Sequence, residues 1–211
     1  MDKELTLNLG DDLKIVTTHE RAARAMAREL AIAPGAGLIQ RSVEPPQSLY
    51  APCLAGIPAF GQLWPGQGGF NGGLYPGRDG QKDYYLIVST LKNEPTLAYG
   101  GRGKKIAGAD SRDDGATNTE VLLASGHEHP AAKFCADYRQ DGHSDYFLGA
   151  RDQMRFLCIT VPELFQKGWY QTSTRDSSGD AWVQDFGDGS QDGSGLGYEY
   201  LVRPVRRFFV D

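Results

Sequence analysis

Glycine is the residue that most limits how this chain can fold. It supplies 27 of 211 residues, nearly twice its usual share of roughly 7%. Together with 11 prolines, this content predicts many turns and irregular loops and leaves little room for a helical bundle. The length allows one large domain or two small ones, each with a buried core.

Charge and cysteine usage exclude several classes of protein. A net charge of −5 without a dense basic face argues against a nucleic-acid binder. Three cysteines that lie far apart, Cys53, Cys135 and Cys158, predict reduced and mostly buried thiols rather than disulfides or a zinc site. The sequence therefore favours neither a disulfide-stapled domain nor a zinc-binding module.

The sequence also bears on where the protein acts. No apolar run approaches the ~18 residues that cross a membrane, and residues 1–6 show no signal-peptide pattern. We expect a protein made in the cytoplasm, without membrane insertion. If it acts outside the cell, it leaves by lysis or within a virion.

The first fifty residues predict a small separate unit. Residues 5–9 alternate apolar and polar side chains, as a half-buried strand does, and after a turn at residues 10–12 residues 13–17 can return as a second strand. An apolar stripe from Ala23 to Leu30 then predicts an amphipathic helix. We expect residues 1–50 to form a docking or oligomerisation segment and residues 51–211 to form the main domain.

The main domain predicts short strands and two helices. We expect a hairpin within residues 60–91 and a polar loop over residues 100–115. Apolar stripes predict helices over residues 130–138 and about 150–159. Further strands are expected over residues 169–174, 181–186 and 201–210.

Four stretches in the last eighty residues follow one another in an order and at a spacing that can be compared with those of a protein family. They are residues 135–148, which include Gly142-His-Ser-Asp145, residues 169–174, residues 181–191, and residues 202–208. Over about residues 130–209 they resemble the Lcl C-terminal-like family, which occurs in bacterial adhesins and many prophage proteins. The resemblance implies an α+β, C-type-lectin-like fold with two helices and short antiparallel strands.

Aromatic residues alternate with small polar ones in this region. Trp169, Trp182, Phe186 and Phe208 predict a compact aromatic core, while residues 175–180 and 187–200 predict polar loops that carry a binding surface. A simpler interpretation is that the Gly, Asp and Ser content only makes turns. The expected ligand-binding residues are Arg175, Asp176, Ser177, Ser178, Asp180, Trp182, Asp188, Ser190, Asp192, Tyr198 and Tyr200.

Several groupings suggest metal chemistry only weakly. His127 and His129 lie between Gly126 and Pro130, where a solvated loop is the simpler prediction. Asp185, Asp188 and Asp192 lack the ligand spacing of an EF-hand calcium site. We therefore expect no metal and no cofactor.

No grouping of side chains in the sequence strongly indicates a catalytic site either. The formylglycine-generating relatives of the resembled fold use a paired-cysteine copper site, but Cys135 and Cys158 are expected to face a helix core. We therefore expect no enzyme. The arginines of the last strand, Arg203, Arg206 and Arg207, either grip an anionic ligand or, more simply, pair with Asp185 or other carboxylates.

These patterns favour a non-enzymatic recognition module of a phage or prophage. Its ligand is expected to be a host-surface glycan or protein, and its docking partner a phage tail component or a second copy of the chain. Two other hypotheses remain open. One is an intracellular phage protein that binds and inhibits a host enzyme or defence factor, and the other is a copper oxidase.

Overall fold

The computed structural model describes residues 5–8, 14–17, 56–78, 80–176 and 179–209. The chain divides into two units, Met1–Ala51 and Pro52–Asp211. In the first unit, β1 (Leu5–Asn8) pairs antiparallel with β2 (Lys14–Thr17), which confirms the N-terminal hairpin. The helix predicted over residues 23–30 lies outside the described residues.

The second unit contains two five-stranded sheets. The first has the order β3 (Leu63–Trp64), β4 (Gly69–Tyr75), β5 (Tyr84–Ser89), β12 (Pro204–Phe208) and β7 (Phe147–Leu148), and all its neighbours are antiparallel. The second has the order β10 (Gln191–Gly195), β9 (Asp180–Asp185), β8 (Trp169–Arg175), β11 (Glu199–Leu201) and β6 (Thr96–Ala98). Only β8 and β11 run parallel. The hairpin expected within residues 60–91 is confirmed as β4 and β5.

Among the described residues three α-helices accompany the sheets, so the mixed α+β class is confirmed. The two predicted helices are present as α2 (Pro130–Asp137) and α3 (Arg151–Thr160). Helix α1 (Gly115–Ala124) was not predicted, and it begins where Asp114 accepts a hydrogen bond from the Thr117 backbone N–H. Within the described residues, no helix has both the length and the apolar character needed to cross a membrane.

The aromatic core differs from the predicted one. Of the four predicted rings only Phe186 lies in the main core, where it stacks on Phe165 at 4.0 Å between ring centroids and contacts Tyr170 at 4.8 Å. Trp169, Trp182 and Phe208 are half-buried. Trp169 begins β8 and Phe208 ends β12, while Trp182 lies under the first residue of helix α3. Neighbouring elements therefore cover only one side of each ring.

Two predicted segments of the C-terminal region are also corrected. Residues 187–200 were expected to be a loop, but they include β10, which pairs with β9 along its whole length. Residues 201–210 were expected to form one strand, but the chain leaves β11, passes through Val202 and Arg203, and enters β12 in the other sheet. Pairing with a formed neighbour overrides the low strand propensity of glycine and aspartate.

The chain crosses between the two sheets four times, and one buried cluster joins the two crossings that contain no helix. Between β5 and β6 the chain carries Glu94, and between β11 and β12 it carries Arg203. The Arg203 Nη1 lies 2.7 Å from Glu94 Oε1, with the side chains only 7% and 1% exposed. Arg203 also donates to the Ser89 carbonyl, and the Tyr170 hydroxyl donates to Glu94. We call these four residues the crossover clamp.

All three arginines near the C-terminus pair with carboxylates, as the simpler of the two interpretations expected. The partners, however, come from three separate segments and do not include Asp185. The pairs are Arg203 with Glu94, Arg206 with Asp145, and Arg207 with Asp114.

Removing the acidic member of the clamp tests its role. Glu94→Ala leaves the Arg203 guanidinium buried without its counter-charge, which costs about 3–5 kcal/mol of unfolding free energy. Urea denaturation measures the loss. Glu94→Gln keeps hydrogen-bonding capacity and should lose less.

Lys133→Ala is the matched control, because it removes one partner of an exposed ion pair with Asp137. Exposed pairs contribute little to stability, so this variant should unfold almost like the wild type. Equal losses in Glu94→Ala and Lys133→Ala would contradict the role of the clamp.

Candidate binding surface

Strand β10 forms an edge of its sheet and carries glycine on one face. It pairs with β9, and no other strand in the described part of the chain pairs with it. Successive residues of a strand point to opposite faces, so Gly193 and Gly195 share a face. Neither has a side chain, so the backbone lies bare there. We call this surface, with Gly197 in the turn that follows, the glycine shelf.

Polar and aromatic side chains form the rim of the glycine shelf. A methyl group added at Gly193 would lie 3.4 Å from Asp176 Oδ2, and one added at Gly195 would lie 3.2 Å from the Tyr198 ring and 3.9 Å from Asp180 Oδ1. The Tyr198 side chain is 66% exposed. Asp180, Gly195 and Tyr198 line a cavity of about 500 Å³ together with Arg102.

Helix α3 covers part of this face of the sheet, and its first residue, Arg151, lies beside the shelf. The Arg151 guanidinium lies over the Trp182 ring, 3.6 Å from its centroid. Arg151 Nε donates to Gln191 Oε1 at 3.0 Å, and Gln191 Nε2 returns a bond to the Arg151 carbonyl at 2.8 Å. These contacts fix the start of α3, and the face of β10 beyond Gln191 stays open.

A second cavity, of about 600 Å³, lies beside the shelf and shares Gly103 with it. Its lining includes Lys104, Lys105, Arg175 and Asp176. Arg175 is only 6% exposed, and its Nη2 donates to the Lys104 carbonyl at 2.6 Å. Arg175 therefore positions the loop beneath this surface and presents little of itself to a ligand.

The structure brings some of the predicted ligand-binding residues together and separates others. Strand register places Gly195 opposite Asp180 and Gln191 opposite Gln184, a span of about 13 Å at ~3.4 Å per residue. Asp176, Asp180 and Tyr198 lie at one end of this hairpin. Asp188 and Ser190 lie at the other, where Asp188 Oδ1 accepts from the Ser190 backbone N–H at 2.9 Å.

Two more predicted residues lie away from the shelf, and a third is covered by a neighbouring side chain. Asp192 lies on the opposite face of β10 from Gly193. The Tyr200 hydroxyl bonds to Ser194 Oγ at 2.8 Å, also on that opposite face. Trp182 pairs directly with Gly193 and so shares the face of the shelf, but its ring lies beneath Arg151. Ser177 and Ser178 lie outside the described residues.

The residues considered for metal binding are engaged locally. Asp185 accepts from the Gly187 N–H, and Asp192 accepts from the Gly193 N–H. Among the described residues, no three His, Cys, Asp or Glu side chains form a group that could hold a metal ion. The solvated loop predicted at residues 127–129 is confirmed for His127, which is exposed, but is wrong for His129, which is 3% exposed and whose Nδ1 bonds to the Tyr99 carbonyl. Burial lowers the pKa of His129.

The cysteines stay apart from the shelf. Cys135 is fully buried on α2, and burial raises the pKa of its thiol. Cys158 is half-buried on α3, where its Sγ lies 3.7 Å from the Asp185 carbonyl. Neither thiol lines the cavity of the shelf.

The shelf offers contacts suited to binding. Tyr198 provides an exposed ring, Asp176 and Asp180 provide carboxylates, and Gly193 and Gly195 provide bare backbone. The arginine on the rim, Arg102, was missed from the sequence. The alternation Gly193-Ser-Gly195-Leu-Gly197 is a signal that, combined with a strand, points to the shelf. No family model matches this chain, and no curated protein matches it.

An added methyl group tests whether the fold itself needs glycine on the shelf. At Gly193 the methyl group meets only ordinary van der Waals contacts, so Gly193→Ala should raise the unfolding free energy by roughly 0.5–1 kcal/mol. Urea denaturation measures the change.

Gly69→Ala is the comparison, because its methyl group would lie 2.2 Å from the Val88 carbonyl oxygen. This overpacking should destabilise the protein by about 1–3 kcal/mol. A destabilised Gly193→Ala would mean that glycine is needed there for folding, which contradicts our interpretation of the open shelf.

Proposed function

We propose that the Pro52–Asp211 unit is a non-enzymatic recognition module of a phage or prophage. In this proposal it has a C-type-lectin-like fold and binds a glycan or protein on the host surface through the glycine shelf. One observation carries the proposal. Gly193 leaves space that the fold does not require, beside Asp176 and Asp180, and Gly195 on the same strand face lies beside the exposed Tyr198 ring.

The chemistry of the shelf favours a glycan over a flat protein surface. An exposed tyrosine ring packs against the C–H face of a sugar while its hydroxyl stays in water. Carboxylates such as Asp176 and Asp180 accept hydrogen bonds from sugar hydroxyls. A cavity of about 500 Å³ lies within the size range of small-ligand sites, which suits one or a few sugar rings.

Two features support the C-type-lectin-like fold in this proposal. They are the resemblance of residues 130–209 to the Lcl C-terminal-like family and the mixed α+β architecture. Two mostly antiparallel sheets hold the backbone through long-range pairing. Irregular segments, such as the loop expected over residues 100–115 and found over residues 99–114, carry polar side chains at the surface. Rigid elements that support polar loops are common in binding proteins.

An array of bacterial surface saccharides tests the proposal with the full chain. The wild type should bind at least one saccharide. Tyr198→Ala removes the exposed ring, and Gly193→Val fills the shelf with a side chain that strands tolerate. Each should weaken binding by about tenfold or more, as loss of a central aromatic contact does, while the melting temperature stays near that of the wild type.

Asp192→Ala is the control for these variants, because Asp192 lies on the same strand but on its other face. It should bind every saccharide as the wild type does. Binding that survives both Tyr198→Ala and Gly193→Val, or that Asp192→Ala weakens equally, would show that the shelf is not the site. A wild type that binds no saccharide would count against a glycan ligand.

Chelation provides a further prediction. Asp188 and Asp192 use their carboxylates on neighbouring backbone groups, so saccharide binding should need no calcium. Binding measured on the array with and without EDTA should be equal. Loss of binding in EDTA that calcium restores would show that these carboxylates hold a cation in the complex.

A further inference from the structure

Four arginines converge on a third cavity, which lies on the other side of Arg151 from the shelf. Its volume is about 390 Å³. Apolar side chains from β4 and α3 form part of its lining. We call it the arginine cleft, and its main lining residues are Arg78, Arg112, Arg151, Arg155, Tyr75, Phe156 and Ile159.

The positive charge of the arginine cleft is only partly neutralised. Arg78 lies 3.3 Å from Asp113, and Arg112 lies 3.6 Å from Asp152. Both distances exceed the ~2.7–2.9 Å of a strong charge-assisted bond, and both arginines are more than half exposed. Arg155 forms no ion pair with any carboxylate among the described residues.

Arg151 adds to this excess of positive charge. Its hydrogen-bonding partner is the neutral amide of Gln191. Burial lowers the pKa of Arg151, and the neighbouring charges of Arg112 and Arg155 act in the same direction. An anion in the cleft would relieve this repulsion.

Apolar side chains stand on the outer face of α3, where a soluble helix normally carries polar ones. Arg155, Phe156 and Ile159 follow Asp152 at the i+3, i+4 and i+7 positions, so the four form one stripe. Ile159 is 73% exposed. Phe156 packs edge-on against Tyr75, with the ring centroids 5.3 Å apart. The opposite stripe of α3 already fills the core with Met154 and Leu157.

We propose that the arginine cleft binds an acidic segment of a protein partner, in which carboxylate side chains flank an apolar one. Planar guanidinium groups pair with carboxylates in a two-bond geometry. The exposed Ile159 side chain and the half-buried Phe156 ring would cover an apolar side chain between them. Arginine and aromatic residues are also the types enriched at the centres of protein interfaces.

A saccharide fits the cleft less well than it fits the shelf. A neutral saccharide brings no carboxylate to pair with the arginines, so it would leave the excess positive charge of the cleft in place. The rim of the shelf carries Asp176 and Asp180, whereas the cleft carries an excess of arginine. The two surfaces therefore select ligands of different charge, and the cleft does not depend on what the shelf binds.

Fluorescence anisotropy with dye-labelled peptides tests the cleft. The probe is a peptide of alternating Glu and Leu residues, compared with a Gln/Leu peptide and a Glu/Ser peptide. The wild type should bind the Glu/Leu peptide and bind the other two much more weakly. The double variant Arg112→Gln with Arg155→Gln should bind it about tenfold more weakly, since a hydrogen bond to a charged group contributes that much. Ile159→Ser should also weaken binding.

Two controls accompany these variants. Lys92→Gln removes one positive charge from an exposed position outside the cleft, and Tyr198→Ala alters the shelf. Both should bind the Glu/Leu peptide as the wild type does, so failure of the cleft and failure of the shelf are distinguishable.

Three results would overturn the proposal. The first is unchanged peptide binding in the double arginine variant. The second is equal binding of the Glu/Ser and Glu/Leu peptides, which would reduce the cleft to a patch of charge. The third is a carboxylated saccharide, oligogalacturonate, that binds the cleft more tightly than the Glu/Leu peptide.

Discussion

The buried pair of Arg203 and Glu94 holds the two sheets of the Pro52–Asp211 unit in register with each other. Each residue lies in one of the two crossing segments that contain no helix, so their 2.7 Å contact joins these two crossings at one point. Burial and the bond to Glu94 raise the pKa of Tyr170, so its hydroxyl keeps the proton that it donates. Tyr170 belongs to β8, and through β9 this anchor extends to the edge strand β10.

A rigid sheet allows β10 to carry almost no side chains of its own on one face. A glycine-rich edge strand loses much backbone entropy on folding, and pairing with β9 supplies its order. Arg151 marks the boundary on this face, since it covers Trp182 and lines the arginine cleft. Arg151 thus separates the two proposed sites. The glycan site with its acidic rim lies on one side of it, and the protein site with its excess of arginine lies on the other.

The sequence predicted the elements whose apolar spacing is strong, namely α2, α3, β8 and β9. It missed α1, whose apolar residues form no clear stripe, and β10, whose residues favour turns and become a strand only beside β9. Loop composition pointed to Asp176, Asp180 and Tyr198 on the rim. Arg102 and the arginine cleft stayed hidden because their members come from distant segments, such as Arg78 and Arg155, which only the tertiary fold brings together.

The proposed binding site is the glycine shelf, because its glycines leave the backbone uncovered. The most direct test is to map the amide resonances of the ¹⁵N-labelled protein as a saccharide from the array is added. The largest shifts should fall on Gly193, Gly195, Tyr198 and the neighbouring Asp176 and Asp180, and resonances of the buried crossover should stay fixed. Shifts centred on residues 186–190 at the far end of the hairpin, or spread through both sheets, would contradict a preformed site on the shelf.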